Sequence, residues 1–128
     1  MKELITFLCS LSLATAVFAA GKFADISHDE LQAAIASNAV TVIDVNGSKS
    51  FKKGRIPGSI DFAANKDRLA ELLPADKNAL IVAYCGNERC SAYRNAAIAA
   101  EKLGYTNVKH YSPGLAGWKK SGAPMDKS

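Results

Sequence analysis

Two cysteines separated by four residues stand where an apolar segment gives way to a polar loop. Cys85 directly follows the apolar residues 80–84, and Cys90 ends the loop. A cysteine thiolate is a strong nucleophile, so Cys85 could attack an electrophilic sulfur or carbon centre. Two thiols this close could also alternate between a reduced pair and a disulfide. The pattern therefore predicts thiol chemistry centred on Cys85.

The segments on either side of the loop predict how Cys85 is positioned. Residues 80–84 are apolar throughout, as in a strand buried on both faces, and residues 91–103 place alanines at helical spacing before Gly104. Cys85 would then lie at the carboxyl end of a central strand, where open α/β sheets bind ligands. Backbone N–H groups of the loop and helix would face its sulfur and lower the pKa of the thiol, and Arg89 would act in the same direction.

The rest of the chain predicts alternating helices and strands. The expected helices cover about 29–37, 66–73 and 91–103, and the expected strands cover 40–45, 80–84 and 108–111. Ser27, Asn65 and Ser91 are the expected N-caps. This alternation predicts a single α/β domain with a central, mainly parallel sheet flanked by helices on both faces. The polar residues 119–128 are expected to be loosely held.

Composition and charge limit the kinds of binding partner that we expect. The chain has 128 residues, 48% of them hydrophobic, with a formal charge of +4 and a pI near 9.0. No basic patch alternates with aromatic residues, so we expect no nucleic-acid partner. His28 and His110 are the only histidines, and their spacing from the cysteines matches no zinc module, so we expect neither a metal nor a cofactor. We expect a monomer.

The first residues read as a targeting segment. Residues 1–19 contain Lys2, an apolar stretch, and small residues at Val17 and Ala19, as in a cleavable secretory signal peptide. Cleavage would leave a domain over residues 20–128 that is periplasmic or secreted and has no membrane contact; an uncleaved anchor helix is the alternative. Cys9 would leave with the signal, and the remaining cysteine pair would enter a compartment that permits disulfides.

Four landmarks in this order resemble those of rhodanese-like sulfurtransferases. They are Ile43-Asp44-Val45, the turn containing Gly54 and Ile56-Pro57-Gly58, the Cys85 loop, and Gly117-Trp118. Three positions in the first two landmarks depart from the usual family pattern: Asn46 stands where Arg is usual, Arg55 where His is usual, and Ser59 where Ala is common. None of these three departures touches the nucleophile. In the Cys85 loop, Cys90 is a further departure, because that position often carries Arg in the family.

The resemblance implies a single rhodanese-like domain and a sulfur-transfer reaction. Cys85 would accept a sulfane sulfur from a small anion such as thiosulfate, hold it as a persulfide, and pass it to a thiol or to cyanide. Arg89 would help to bind the anionic donor. The residues expected to hold the donor and the persulfide form the loop and the start of the helix: Gly86, Asn87, Glu88, Arg89, Cys90 and Ser91.

Other interpretations remain open for the second cysteine. Cys90 could be inert, could resolve a persulfide or sulfenate on Cys85 by forming a disulfide, or could belong to a metal site. A loop that turns its N–H groups inward would point Cys90 away from Cys85, so a bridge would need local rearrangement. The alternative functions are a thiol–disulfide redox protein that uses both cysteines and a non-catalytic binding module. Phosphoryl chemistry is excluded, because Ser91 stands where cysteine phosphatases place an Arg.

Three further polar residues could be functional or structural. Asp44 ends a strand and is expected to hydrogen-bond a neighbouring loop rather than to act as a base. Arg55 is expected to be a surface residue, with binding of the donor as the alternative. His110 is expected to be packed or at the surface rather than a base. Among the aromatic residues, Trp118 is expected to be a packing anchor.

Overall fold

A computed structural model describes residues 23–128 of the chain. The predicted signal peptide over residues 1–19, and the predicted first residues of the domain, lie outside this range. Within residues 23–128, no helix is both long enough and apolar enough to cross a membrane.

The core of the structure is a sheet of five parallel strands. They are β1 (Ala24–Asp25), β2 (Thr41–Asp44), β3 (Ile60–Asp61), β4 (Ile81–Tyr84) and β5 (Val108–His110). Their order across the sheet is β1-β5-β4-β2-β3, and every pair is parallel. β4 is therefore the central strand, as predicted for residues 80–84. The predicted α/β architecture is confirmed.

Within residues 23–128, five helices connect the strands and a sixth follows the last strand. They are α1 (His28–Ala36), α2 (Ser48–Lys53), α3 (Phe62–Asn65), α4 (Leu69–Leu72), α5 (Tyr93–Lys102) and α6 (Gly114–Ser121). Ser27 caps α1 as predicted, because its Oγ accepts from the Glu30 N–H at 3.2 Å. The predicted helix over 66–73 is wrong in its bounds: a 3₁₀ turn, Lys66–Arg68, leads into a shorter α4. Asn65 makes no cap, since its amide donates to the Asp61 carbonyl at 2.8 Å.

Alternate residues of β4 face opposite sides of the sheet and build two separate cores. Ala83 and Cys85 pack with α5, whose face toward the sheet consists of alanines. Val82 and Tyr84 pack with residues of α1 and α6, including the fully buried Trp118. Helices thus cover both faces, and the small alanine side chains let α5 lie close to the strand that carries Cys85.

A buried hydrogen-bond network joins the ends of β2 and β4 to the turn before β3. Tyr84 donates from its hydroxyl to Oδ2 of Asp44 at 2.5 Å and accepts from the Ile56 N–H at 3.1 Å. Oδ1 of Asp44 accepts from the Asn46 N–H at 2.7 Å. Burial raises the pKa of Asp44, while these hydrogen bonds oppose that shift. Asp44 is thus a structural residue, as expected.

The C-terminal residues are held by specific contacts, so the prediction of a loose tail over 119–128 is wrong. α6 continues to Ser121, and the Trp118 indole N–H donates to the Pro124 carbonyl at 2.8 Å. Asp126 exchanges two backbone hydrogen bonds with Arg55, at 2.9 and 3.0 Å. These contacts come from residues distant in sequence, which local polarity cannot reveal.

Arg55 is used by the same structure. Its guanidinium donates to the Phe51 carbonyl at 2.9 Å and to the Ser128 hydroxyl at 3.0 Å. It also lies over the Phe51 ring, 4.2 Å from the centroid. Arg55 therefore fastens the C-terminus to α2, and the alternative in which it binds the sulfur donor has no support from its contacts.

The Tyr84 network yields a stability prediction. Tyr84→Phe removes the hydrogen-bond partner of Oδ2 of Asp44 and of the Ile56 N–H, while Oδ1 of Asp44 keeps the Asn46 N–H, and should lower the free energy of unfolding by about 1–3 kcal/mol. Tyr111→Phe is the matched control, because the Tyr111 hydroxyl makes one partly buried hydrogen bond, to Nδ1 of His28 at 3.0 Å. It should cost about 0.5–1.5 kcal/mol. Urea unfolding of both variants measures the difference, and equal losses would contradict the role given to the network.

Candidate active site

Cys85 directly follows β4 and lies at the carboxyl edge of the sheet, as predicted. Its side chain is almost wholly buried, with 1% exposed. The structure joins Cys85 to Cys90 by a disulfide, with 5.9 Å between the two Cα atoms. The expectation that Cys90 points away from Cys85 is therefore wrong. The loop turns back on itself, since the Cys90 N–H donates to the Asn87 carbonyl at 3.3 Å. This turn brings the Cys90 sulfur to the Cys85 sulfur.

The backbone amide nearest the sulfur comes from the helix and not from the loop. The Tyr93 N–H donates to Sγ of Cys85 at 3.0 Å. In this disulfide form the amides of Arg89 and Cys90 are used within the loop, where Asn87 accepts both through its side chain and its carbonyl. Sequence reasoning missed Tyr93, because it began the helix at residue 91; the available signal was only that a helix N-terminus follows the loop.

The predicted cap of that helix is also wrong. α5 begins at Tyr93, Ala92 takes the cap position, and no side chain caps the helix. Ser91 is exposed one residue further out. No serine side chain therefore accepts from the first N–H groups of α5. The Tyr93 N–H donates to the Cys85 sulfur instead.

Helix α6 holds the loop from the other side. The Leu115 N–H donates to the Cys85 carbonyl at 2.9 Å, and the Ala116 N–H donates to the Gly86 carbonyl at 2.9 Å. Gly114 has φ +63°, and a Cβ placed there would lie 2.6 Å from the Cys85 carbonyl oxygen. Only glycine fits this close approach, so Gly114 fixes how near α6 can come to the cysteine loop.

The outer face of the loop borders a groove of about 450 Å³. Asn87, Glu88 and Arg89 line one side of the groove, and α6 lines the other with residues that include Lys120. All three loop side chains are exposed, as expected for Glu88. The Arg89 guanidinium makes no ion pair within residues 23–128. Gly86, Cys90 and Ser91, which belong to the predicted binding set, do not line the groove.

His110 braces the start of α5. Its ring stacks on the Tyr93 ring with 3.4 Å between centroids and 6° between planes. Nδ1 lies 3.3 Å from a carboxylate oxygen of Asp25. Burial lowers the pKa of His110, and the neighbouring Asp25 opposes that shift. These contacts agree with the expectation that His110 is a packed histidine. They also hold Tyr93, whose backbone N–H donates to the Cys85 sulfur.

Asn46 stands beside the loop at the position where the family usually has Arg. Its Oδ1 is 3.3 Å from where a Cβ on Gly86 would lie. Its Nδ2 is buried and has no hydrogen-bond partner within the described residues. Across residues 23–128, no three side chains of His, Cys, Asp or Glu are grouped so that they could hold a metal ion.

The comparisons with known proteins give a family. The family model described as rhodanese-like domain matches residues 27–121. An HTH-type transcriptional regulator of Mycobacterium tuberculosis is 35% identical over 104 residues, which cover 80% of this chain and 44% of that protein. This chain thus spans less than half the length of that regulator.

Solved structures share the fold. A rhodanese-like domain from Anabaena is 21% identical, with a TM-score of 0.66 over 84% of this chain and 81% of that one. A Bacillus halodurans protein is 23% identical, with a TM-score of 0.69 over 82% of this chain and 77% of that one. A thiosulfate sulfurtransferase from Pseudomonas aeruginosa is 21% identical, with a TM-score of 0.65 over 82% of this chain and 20% of that one.

The family match extends from the cap of α1 to the end of α6, and so includes all the elements that position Cys85. By this match, the chain belongs to the rhodanese-like domain family.

Proposed function

We propose that this chain is an exported sulfurtransferase that carries sulfane sulfur as a persulfide on Cys85. One observation carries the proposal: the cysteine that follows the central strand of a rhodanese-like domain accepts a hydrogen bond at its sulfur from the first amide of α5. The helix N-terminus and the Tyr93 N–H favour negative charge on that sulfur. An intact nucleophile in this position also argues against a binding module without catalysis.

The loading step is a nucleophilic displacement at sulfur. The Cys85 thiolate attacks the outer sulfur of thiosulfate, the sulfur–sulfur bond of thiosulfate breaks, and sulfite leaves with the bonding electrons. The persulfide then gives its outer sulfur to a thiol or to cyanide, and Cys85 returns to the thiolate. No cofactor is needed, because the cysteine carries the transferred atom.

The disulfide makes loading conditional on reduction. Sγ of Cys85 is bonded to Cys90 and buried, so it cannot attack a donor in this form. An external thiol must first supply two electrons and open the loop. The exposed Arg89 and the nearby Lys120 then offer positive charge to an anionic donor approaching from the groove.

The place of action follows from the N-terminal segment. We propose that residues 1–19 direct export and that the domain acts in the periplasm or outside the cell, as a monomer on small molecules. An oxidising compartment suits the Cys85–Cys90 bridge, which the reducing cytosol would not maintain.

A second candidate function is a thiol–disulfide redox protein, and the bridge itself favours it. In that case the pair would exchange electrons with partner thiols and would take up no sulfur. The two functions predict different products on exposure to a sulfur donor, so one experiment separates them.

The loading step can be tested by intact mass. The full chain with Cys9→Ser and Cys90→Ser keeps Cys85 alone and cannot form the bridge. After reduction, removal of the reductant and exposure to thiosulfate, it should gain one sulfur atom per chain, which cyanide then removes. The same background with Cys85→Ser should gain none. Absence of any sulfur gain by Cys85 would contradict the proposed function and leave the redox candidate.

Substitution of Gly114 tests whether α6 positions the cysteine loop for sulfur loading. Gly114→Ala and Gly122→Ala both place a side chain at positive φ, +63° and +78°, which costs about 1–2 kcal/mol each. Only the Gly114 variant meets the cysteine loop, since nothing lies within 4 Å of a Cβ on Gly122. In the Cys90→Ser background, Gly114→Ala should slow sulfur loading about 100-fold, as misplacement of a reacting group does. Gly122→Ala should load at the parent rate. Thermal unfolding checks that both variants fold, and unchanged loading by Gly114→Ala would contradict this role.

A further inference from the structure

We infer that Cys90 is a resolving thiol, which displaces the sulfur carried by Cys85 as hydrosulfide and forms the disulfide seen in the structure. This inference rests on the proposed function, because it needs a persulfide on Cys85. It adds a second activity to sulfur transfer: the reductive release of sulfide, with electrons supplied by the cysteine pair.

The geometry shows which sulfur Cys90 can reach. Its sulfur is bonded to Sγ of Cys85, the inner atom of a persulfide, while the ends of the loop keep their anchors. The Cys85 carbonyl remains bonded to the Leu115 amide, and the Cys90 amide remains bonded to Asn87. Attack on the inner sulfur therefore needs no conformation beyond the one described.

Burial favours the internal thiol over external thiols at this atom. In the bridged form Cys85 is 1% exposed and packs in the core beside Tyr93, so a thiol from solution would reach its inner sulfur only on the side that the opened loop uncovers, where Cys90 already lies. Cys90 is only partly buried and belongs to the same short loop. An intramolecular thiol at this distance has a large effective concentration. External acceptors are left with the outer sulfur, so the two reactions compete for one intermediate.

The step balances in atoms and electrons. The Cys90 thiolate attacks Sγ of Cys85, the bond between the inner and outer sulfurs breaks, and the outer sulfur leaves as hydrosulfide with the bonding pair. The two cysteine sulfurs are each oxidised by one electron, and the sulfane sulfur is reduced by two. The Cys90 thiol loses its proton before the attack, and the proton on the outer sulfur of the persulfide leaves with the hydrosulfide.

The exposure of the two cysteines also indicates how the disulfide is reduced again. An external dithiol meets the more accessible sulfur, that of Cys90, and forms a mixed disulfide there. The leaving group is the Cys85 thiolate, which the Tyr93 amide receives. The second thiol of the dithiol then frees Cys90. Over one cycle, thiosulfate and a dithiol become sulfite, hydrosulfide and an oxidised dithiol.

The experiment uses the full chain with Cys9→Ser. The protein is reduced, the reductant is removed, and one equivalent of thiosulfate is added in the absence of any other thiol. The reduced pair should release about one hydrosulfide per chain, retain no added sulfur, and lose two protons by intact mass. The Cys90→Ser chain should retain the sulfur and release no sulfide. A chain with Cys90→Ser and Ser91→Cys moves the thiol by one exposed position, and should release sulfide at least about tenfold more slowly.

The outcomes separate the two proposals. If Cys90→Ser loads sulfur but the reduced pair also keeps it and forms no disulfide, resolution by Cys90 is wrong and the proposed function stands. If peptide mapping finds the added sulfur on Cys90, the outer atom has been transferred and resolution is likewise overturned. If Cys90→Ser takes up no sulfur at all, the proposed function fails, and the inference that depends on it fails too.

Discussion

The burial of β4 on both faces is the constraint on which the rest of the site depends. All four residues of the strand are buried, so the chain can expose reactive groups only where the strand ends. The first residue after it is Cys85. Parallel neighbours on both sides and helices on both faces leave that edge as the place where a loop can present a thiol.

The cysteine loop is held between two helix starts with different tasks. α6 supplies two amides that hold backbone carbonyls of the loop, and the missing side chain of Gly114 lets it come close enough to do so. α5 supplies one amide to the sulfur itself. α6 thus holds the backbone of Cys85, and α5 favours negative charge on its sulfur; none of these contacts comes from Cys90.

This division explains how one loop can serve both sulfur transfer and disulfide formation. The contacts that position Cys85 come from Tyr93 and Leu115, outside the loop, and they are present while the bridge is closed. None of those contacts involves Cys90, so we expect them to persist when the bridge opens. The groove beside Arg89 and Lys120 lies along the same segment, so an anionic donor and a reducing thiol would approach the same face.

Local sequence predicts β2, β4 and β5, the Ser27 cap and the placement of Cys85, because each depends on nearby residues and on alternation of strand and helix. It does not predict β1 and β3, because a strand of two residues has no periodicity to detect. The orientation of Cys90 does not follow from its neighbours, since the loop is shaped by α6, some 25 residues later in the chain. α6 itself was hidden by Gly114 and Gly117, which weaken any helical pattern. The Arg55–Asp126 pairing, which orders the C-terminus, joins residues too distant for any local pattern to show.

The central claim is that Cys85 cleaves the sulfur–sulfur bond of a sulfane donor. The most direct measurement is the sulfite released in a single turnover, when the reduced full chain with Cys9→Ser meets excess thiosulfate in the absence of other thiols. Sulfite reports bond cleavage whatever happens to the sulfur afterwards. The account predicts about one sulfite per chain, with or without Cys90, and none when Cys85 is replaced by Ser. A reduced, folded chain that releases no sulfite would contradict it.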